Sequence, residues 1–222
     1  GCIAQITPLF LAKMERILDL YHQPYNPLRP MICFDEQSLQ LLKQTRVPIP
    51  LRPRHPRRED HEYQRNSTRN LFMLAEPKAG QRHTLITRQR TKRDFACVMR
   101  YLVDVLYPDA ECIDVVLDNL NTHSYYALVE TFGKTEADRI AVRLCFHFTP
   151  THGSWLNMAE IELSVLTKQC LKRRIPDEWT LNLELIAWEN AANASHRQIH
   201  WSFTIQDARR VFADYYPSSS PS

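Results

Sequence analysis

No two of the six cysteines (Cys2, Cys33, Cys97, Cys112, Cys145, Cys170) are spaced as CxxC, so the chain offers no closely spaced thiol pair for zinc or redox chemistry. Cys33, Cys97, Cys112 and Cys145 fall inside apolar runs, where a free thiol packs as a small core residue. That usage fits reduced thiols and a cytoplasmic protein. No apolar run approaches the ~20 residues needed to cross a bilayer, which excludes a helical membrane span. The stretch GCIAQITPLFLAKMERILDL has no basic region ahead of its apolar part, so no secretory signal is legible. Charge of one sign is also lacking. With 28 Lys+Arg against 25 Asp+Glu the net charge is +3, too small to announce nucleic acid by itself. Internal repeats are absent. What is present is 222 residues with 44% hydrophobic and 24% charged content, enough for one sizeable core in an ordinary globular chain.

Taken in order, residues 8–21 read as a helix with Phe10, Met14, Ile17, Leu18 and Tyr21 on one face, Thr7 as N-cap and Pro8 in the first turn. HQPYNPLRP (22–30) is a proline-punctuated linker. Residues 31–34 predict a short buried strand ending at Asp35. Residues 43–69 show no periodicity. Strands are expected at 70–75 and 83–87, joined as a hairpin by a turn at 76–81, and a helix over 94–106. Residues 113–117 predict a buried, central strand, followed by helices at 124–132 and 135–140 and a strand at 142–148. A helix from 154 to 171 is expected with Ser154 as N-cap, then helices at 179–190 and 207–215. The 179–190 helix carries Trp179, Leu183, Ile186, Ala187 and Trp188. This order predicts an α/β domain, a mixed sheet flanked by helices.

Three acids stand where packing alone would not place them. Asp35 ends MICFD, Asp118 ends VVLD, and Glu160 lies in the helix that follows FHFTPTHGSWLN, two turns in on the expected boundaries. Parallel neighbouring strands would bring Asp35 and Asp118 to one edge of a sheet. Phosphoryl transfer to water or a DNA hydroxyl uses hard divalent cations held by few carboxylates, and three acids suffice. The plainer reading of Asp118-Asn119 is a turn after a strand, and Glu162 competes with Glu160. Glu36, beside Asp35, points to the other side of the strand.

VVLDNLNTH and FTPTHGSWLNMAEIEL, with MICFDEQS, HEYQRNSTRNLFM, LVDVLYPDAE and WEN…IHWSF…DAR, resemble the catalytic core of bacterial insertion-sequence transposases of the mariner superfamily, the DDE endonucleases. The resemblance runs over about residues 30–217. It implies a ribonuclease-H-like fold with a mixed five-stranded sheet flanked by helices. It further implies metal-dependent DNA cleavage and strand transfer, with Mg²⁺ as cofactor (Mn²⁺ substituting) in two ions. The family's three metal-binding acids map onto Asp35, Asp118 and, from the LN-x-x-E phrase, Glu160. The gap between Asp118 and Glu160 is longer than in animal members, and the extra length is assigned to FGKTEADRI (132–140). Duplex DNA at element ends and target is the implied partner, with a second copy or a full-length transposase beside it.

DNA contacts are expected from two places. The proline-stiffened stretch 43–69 carries Arg52, Arg54, Arg57, Arg58 and Arg65 among eight cations and reads either as a solvated loop or as a phosphate-tracking arm. Lys168, Lys172 and Arg173 form a second patch, in positions that a helix C-terminus favours on its own account. His123 is read as a donor at the site's edge or as a locally bonded histidine, and His152, Asn157 and Trp155 as further edge residues, with Trp155 also a core anchor. The expected division is a helix and linker at 1–30, a catalytic domain at 31–217 and a disordered tail at 218–222. The helix-turn-helix region of full-length relatives is not legible here. The rival reading is therefore a truncated, catalytically silent remnant that only binds DNA or a full-length transposase.

Overall fold

The computed structural model describes residues 6–44 and 63–216. Five strands form one mixed sheet in the order β3-β2-β1-β4-β5, the expected fold class. β1 (Met31–Gln44), β2 (Tyr63–Glu76) and β3 (Gln81–Thr87) form an antiparallel meander. β4 (Ile113–Leu117) and β5 (Leu144–Phe148) add to the other side of β1, both parallel. The middle of the sheet is therefore β1. β4, expected there, lies one place over and is buried along its whole length.

Both β1 and β2 are longer than their apolar runs. β1 continues ten residues past Phe34, to Gln44, so Asp35 lies inside a strand and not at its tip. The continuation alternates, with Leu39 and Leu41 turned inward and Ser38 and Gln40 exposed. An antiparallel partner on one side suffices for such a strand, so half of its residues can be polar. β2 likewise begins at Tyr63, in register with Gln44, within a stretch expected to be irregular.

The sheet separates two apolar layers, because successive strand residues face opposite sides. Ile32, Phe34, Phe72, Val115 and Leu117 pack on one side against Phe95, Val98 and Met99 of α2 (Lys92–Tyr101) and Ala127 and Leu128 of α3 (Tyr125–Phe132). Met31, Cys33, Met73 and Val116 face the other side. There they meet α1 (Pro8–His22), α5 (Met158–Leu166), α6 (Glu178–Ala194) and α7 (Ile205–Val211). α4 (Lys134–Ala141) supplies the expected helical insert between Asp118 and Glu160. α1 starts as read: Pro8 opens it, and the Thr7 hydroxyl accepts from the Phe10 amide at 3.1 Å.

Three expectations change. α5 begins four residues later than expected, after a 3-10 turn at Ser154–Leu156, and Asn157 caps it in place of Ser154. Glu160 then stands in the first turn and not two turns in. On α6 it is Leu181, Leu185 and Trp188 that pack inward, while Trp179, Leu183 and Ile186 face solvent. The helix has apolar residues on two faces, and the edge strand decides between them. Asn193 trades hydrogen bonds with the backbone of Arg82 on β3 (2.7 and 2.8 Å), and Glu189 accepts from the Thr84 amide and hydroxyl, both at 2.9 Å. Cys33 and Cys170 are buried, but Cys97 is exposed, on the outer side of α2.

The β2–β3 turn is held by a close approach. Gly80 has φ +69°, and a Cβ there would come within 2.4 Å of the His196 carbonyl. Beneath it lies a buried ion pair. The Arg82 Nε donates to Glu162 at 2.8 Å, with both side chains almost completely enclosed. Arg82 also donates to the Arg197 carbonyl at 2.6 Å, and Arg197 reaches Glu162 at 3.0 Å. Glu162 is thus committed to the fold. Removing one member of such a pair strands a buried charge, so Arg82→Ala should lower unfolding stability by about 3 kcal/mol, measured as a shift in the denaturation midpoint.

Candidate active site

The parallel ladder between β1 and β4 covers only Met31↔Asp114, Ile32↔Val115 and Cys33↔Val116. Two residues further along the same register stand Asp35 and Asp118. Both share the parity of Cys33 and Val116 and so face the α5 side of the sheet. The strands come apart at this point, and α5 is anchored into the gap. The Asn157 side chain, buried, donates to the Phe34 carbonyl at 2.8 Å while its own oxygen accepts from the Ala159 amide at 3.1 Å. One amide thereby occupies a strand carbonyl and caps the helix. Three residues on, Glu160 is exposed beside the fork.

Asp35 registers its neighbours electrostatically. Burial raises its carboxyl pKa, the Glu36 amide at 2.8 Å opposes that, and the carboxylates of Asp118, Glu160 and Glu36 push it up further, to about 7. The acids of three separate elements thus act on one another. Thr149, buried at the end of β5, donates to Asp118 Oδ1 at 2.6 Å and fixes its orientation. Sequence reading missed Thr149; the FTPT phrase contained it, but nothing in the spacing marked it. A set of carboxylates that repel one another, two of them half-buried and one exposed, suits a hard divalent cation.

A second cluster does not. Among the described residues, ligand atoms of Asp114, Cys145 and His147 all lie within 4.8 Å of one another, at the other end of β4. Asp114 accepts from Arg29 at 2.7 and 3.0 Å and from His147 at 2.7 Å, and Arg16 donates to the other nitrogen of His147 at 3.1 Å. Burial alone would raise the Asp114 carboxyl, but the His147 and Arg29 hydrogen bonds hold it well below the usual carboxylate range. Two guanidinium groups already supply the positive charge a metal would bring. This is an ion-pair network joining α1, the 22–30 linker and the sheet.

The remaining expected residues are dispersed. Arg52, Arg54, Arg57 and Arg58 lie outside the described residues, and Arg65 sits on β2 opposite Leu42. Lys168 and Lys172 are exposed beyond α5, and Arg173 is ion-paired with Glu184. Lys172 and Arg173 border a cleft of about 180 Å³ against Leu39, Leu41 and Leu42, roughly 20 Å along β1 from Asp35 at 3.3 Å per residue. His123 turns inward, with both ring nitrogens facing protein oxygens. Trp155 is partly exposed and stacks on Trp201 at 6.3 Å, so it is not a core anchor. His152 stands exposed in the same loop with φ 62°.

A family model described as DDE superfamily endonuclease matches residues 30–182, more than half of the chain. The chain belongs to that family. No curated relative matches it by sequence. Among solved structures, the Mos1 strand transfer complex is similar with a TM-score of 0.60 and 11% identity, covering 99% of this chain and 67% of that one. The Mos1 mariner paired end complexes with Mn and with Mg give TM-scores of 0.52 and 0.54 at 11% identity. They cover 89% and 96% of this chain but 65% and 64% of those chains, so this chain spans about two thirds of their length. The likeness establishes the ribonuclease-H-like fold for this DDE endonuclease.

The raised Asp35 pKa has a consequence for stability. The unfolded carboxyl ionises near ~4 and the folded one at about 7. Stability is therefore full below ~4 and falls as pH rises through about 7. In metal-free buffer at pH 8, Asp35→Asn should unfold at a higher temperature than the parent chain, by about 1 to 2 kcal/mol after screening of a part-exposed group. At pH 4 the difference should vanish. Mg²⁺ should stabilise the parent and not the variant, as read by thermal melting.

Proposed function

We propose that this chain is a transposase catalytic domain that cleaves DNA and transfers the cut strand by metal-dependent phosphoryl transfer. The supporting observation is the meeting of Asp35, Asp118 and Glu160 from β1, the end of β4 and the first turn of α5. Those three carboxylates would hold Mg²⁺, with Mn²⁺ substituting, in a two-ion arrangement. Bound there, the cations would polarise phosphoryl oxygens and favour deprotonation of the attacking hydroxyl. The carboxylates themselves act as ligands, not as proton carriers. Thr149 holds Asp118 in one rotamer, and Asn157 sets Glu160 against β1. The apolar layers behind both strands keep the acids from relaxing away from each other.

Duplex DNA is the proposed substrate. The similar Mos1 structures are of a paired end complex and a strand transfer complex, and a homodimer or a full-length transposase is the partner proposed for this chain. The basic residues of 43–69 and the Lys168, Lys172 and Arg173 patch are proposed to track backbone phosphates. Lys172 and Arg173 border the far end of β1, which would place DNA along that strand. Their binding should weaken as salt rises.

The test is nicking of supercoiled plasmid by the purified chain with Mg²⁺, Mn²⁺ or EDTA. Metal-dependent nicking is expected in the parent chain and in the remote control Glu130→Gln. Asp118→Asn and Glu160→Gln should each lose at least about a hundredfold, the scale of removing one charge-stabilising group from an active site. Nicking that is indifferent to both changes would sink the triad. Absence of nicking with salt-sensitive DNA binding retained would favour the silent DNA-binding reading.

A further inference from the structure

Glu36 and His123 stand behind the proposed metal site, on the opposite face of the sheet from Asp35 and Asp118. Glu36 follows Asp35 on β1, so strand alternation sends its side chain to the α2 and α3 side. It is almost completely enclosed there. One oxygen, Oε1, has no hydrogen-bond partner, the nearest cation being Arg90 at 3.9 Å. The other, Oε2, faces His123 Nε2 at 3.5 Å. The imidazole is wedged between aromatic rings, stacked on Phe95 with centroids 4.7 Å apart and edge-on to Phe34 at 5.3 Å. Its Nδ1 lies 2.8 Å from the backbone carbonyl oxygen of Asp118. A carbonyl can only accept, so Nδ1 is the donor.

These contacts form a continuous path from Asp35 through the adjoining Glu36 side chain and His123 to the main chain of Asp118. Backbone pairing between β1 and β4 stops at Cys33↔Val116, two residues short of both acids. Nothing in the ladder fixes their separation, and the carboxylates repel. A buried, half-satisfied carboxylate beside an aromatic-packed histidine is costly for packing alone, where an apolar pair would fill the space without desolvating a charge. Its value lies in what it connects.

We propose that Glu36 and His123 are positioning residues, a bracket behind the sheet that sets the spacing of Asp35 and Asp118 for metal binding. The proposal rests on the triad reading above. Neither residue touches the metal or the DNA. Groups that hold metal ligands in place shift metal affinity about ten- to a hundredfold when removed, and two members of one device are not additive.

The experiment measures Mn²⁺ affinity by calorimetry, with the environment of the ion followed by electron paramagnetic resonance. The chains are the parent, Glu36→Ala, Glu36→Gln, His123→Ala, the double alanine variant and Asp118→Asn. Each alanine change should weaken Mn²⁺ binding about tenfold, and the double change should be no worse than the weaker-binding single. Glu36→Gln keeps the shape and offers an amide N–H to Nε2, so its affinity should stay within about threefold of the parent. Unchanged affinity in Glu36→Ala, or additive losses in the double variant, would overturn the bracket while Asp118→Asn still abolishes binding. A loss in Glu36→Gln as large as in Glu36→Ala would make Glu36 a ligand and overturn it too. Parent-like binding in Asp118→Asn would overturn the triad reading and the bracket together. Should His123→Ala fail to fold, the Ala and Gln forms of Glu36 decide the matter alone, since both lack the charge and only Gln keeps a side chain that reaches His123.

Discussion

Everything in the candidate site depends on where the β1–β4 ladder stops. Parallel strands hold each other through evenly spaced hydrogen bonds, and here those bonds end at Cys33 and Val116. Past that point β1 and β4 no longer pair, and backbone groups that would have paired need other partners. Asn157 takes the Phe34 carbonyl, and in doing so brings the first turn of α5 against the acids. Sheet, cleft and helix are thus one construction, with a single buried amide at the joint.

The two faces of the sheet carry different work. On the α5 side, burial first and the carboxylates of Asp118, Glu160 and Glu36 second raise the Asp35 pKa to about 7. Folding thus disfavours the ionised form of this carboxyl, and a cation held there would offset that cost. On the other side, aromatic packing around His123 gives a rigid wall. Glu162, two residues from Glu160, belongs to neither. It neutralises Arg82 and Arg197 and ties α5 to β3 and to the segment after α6. Adjacent acids in one helical phrase therefore have unrelated tasks: one is open to the cleft, the other is sealed under the edge strand.

The phrases VVLD and FTPTHGSWLNMAEIEL carry much of the local structure in their own residues. The strand ending before Asp118, the helix holding Glu160, the hairpin around Gly80 and the helical insert at 134–141 are local signals, and local signals survive into the fold. The length of β1 and β2 did not show, because a strand with one antiparallel partner can carry Ser, Gln and Arg on alternate positions. The inward face of α6 did not show either. Trp179, Leu183 and Ile186 are as apolar as Leu181, Leu185 and Trp188, and only the position of β3 distinguishes them.

The sequence by itself determined the element order and the mixed-sheet class, since hydrophobic period and turn chemistry are properties of neighbours along the chain. It left Glu160 and Glu162 separated only by resemblance to a family phrase. Tertiary structure sets them apart by burying Glu162 against Arg82 and leaving Glu160 exposed. It also decided the roles of Thr149, Asn157, His123 and Glu36. Each acts through a partner at least five residues away and in most cases more than thirty, and no period or spacing in a single chain encodes which distant atoms a side chain will meet.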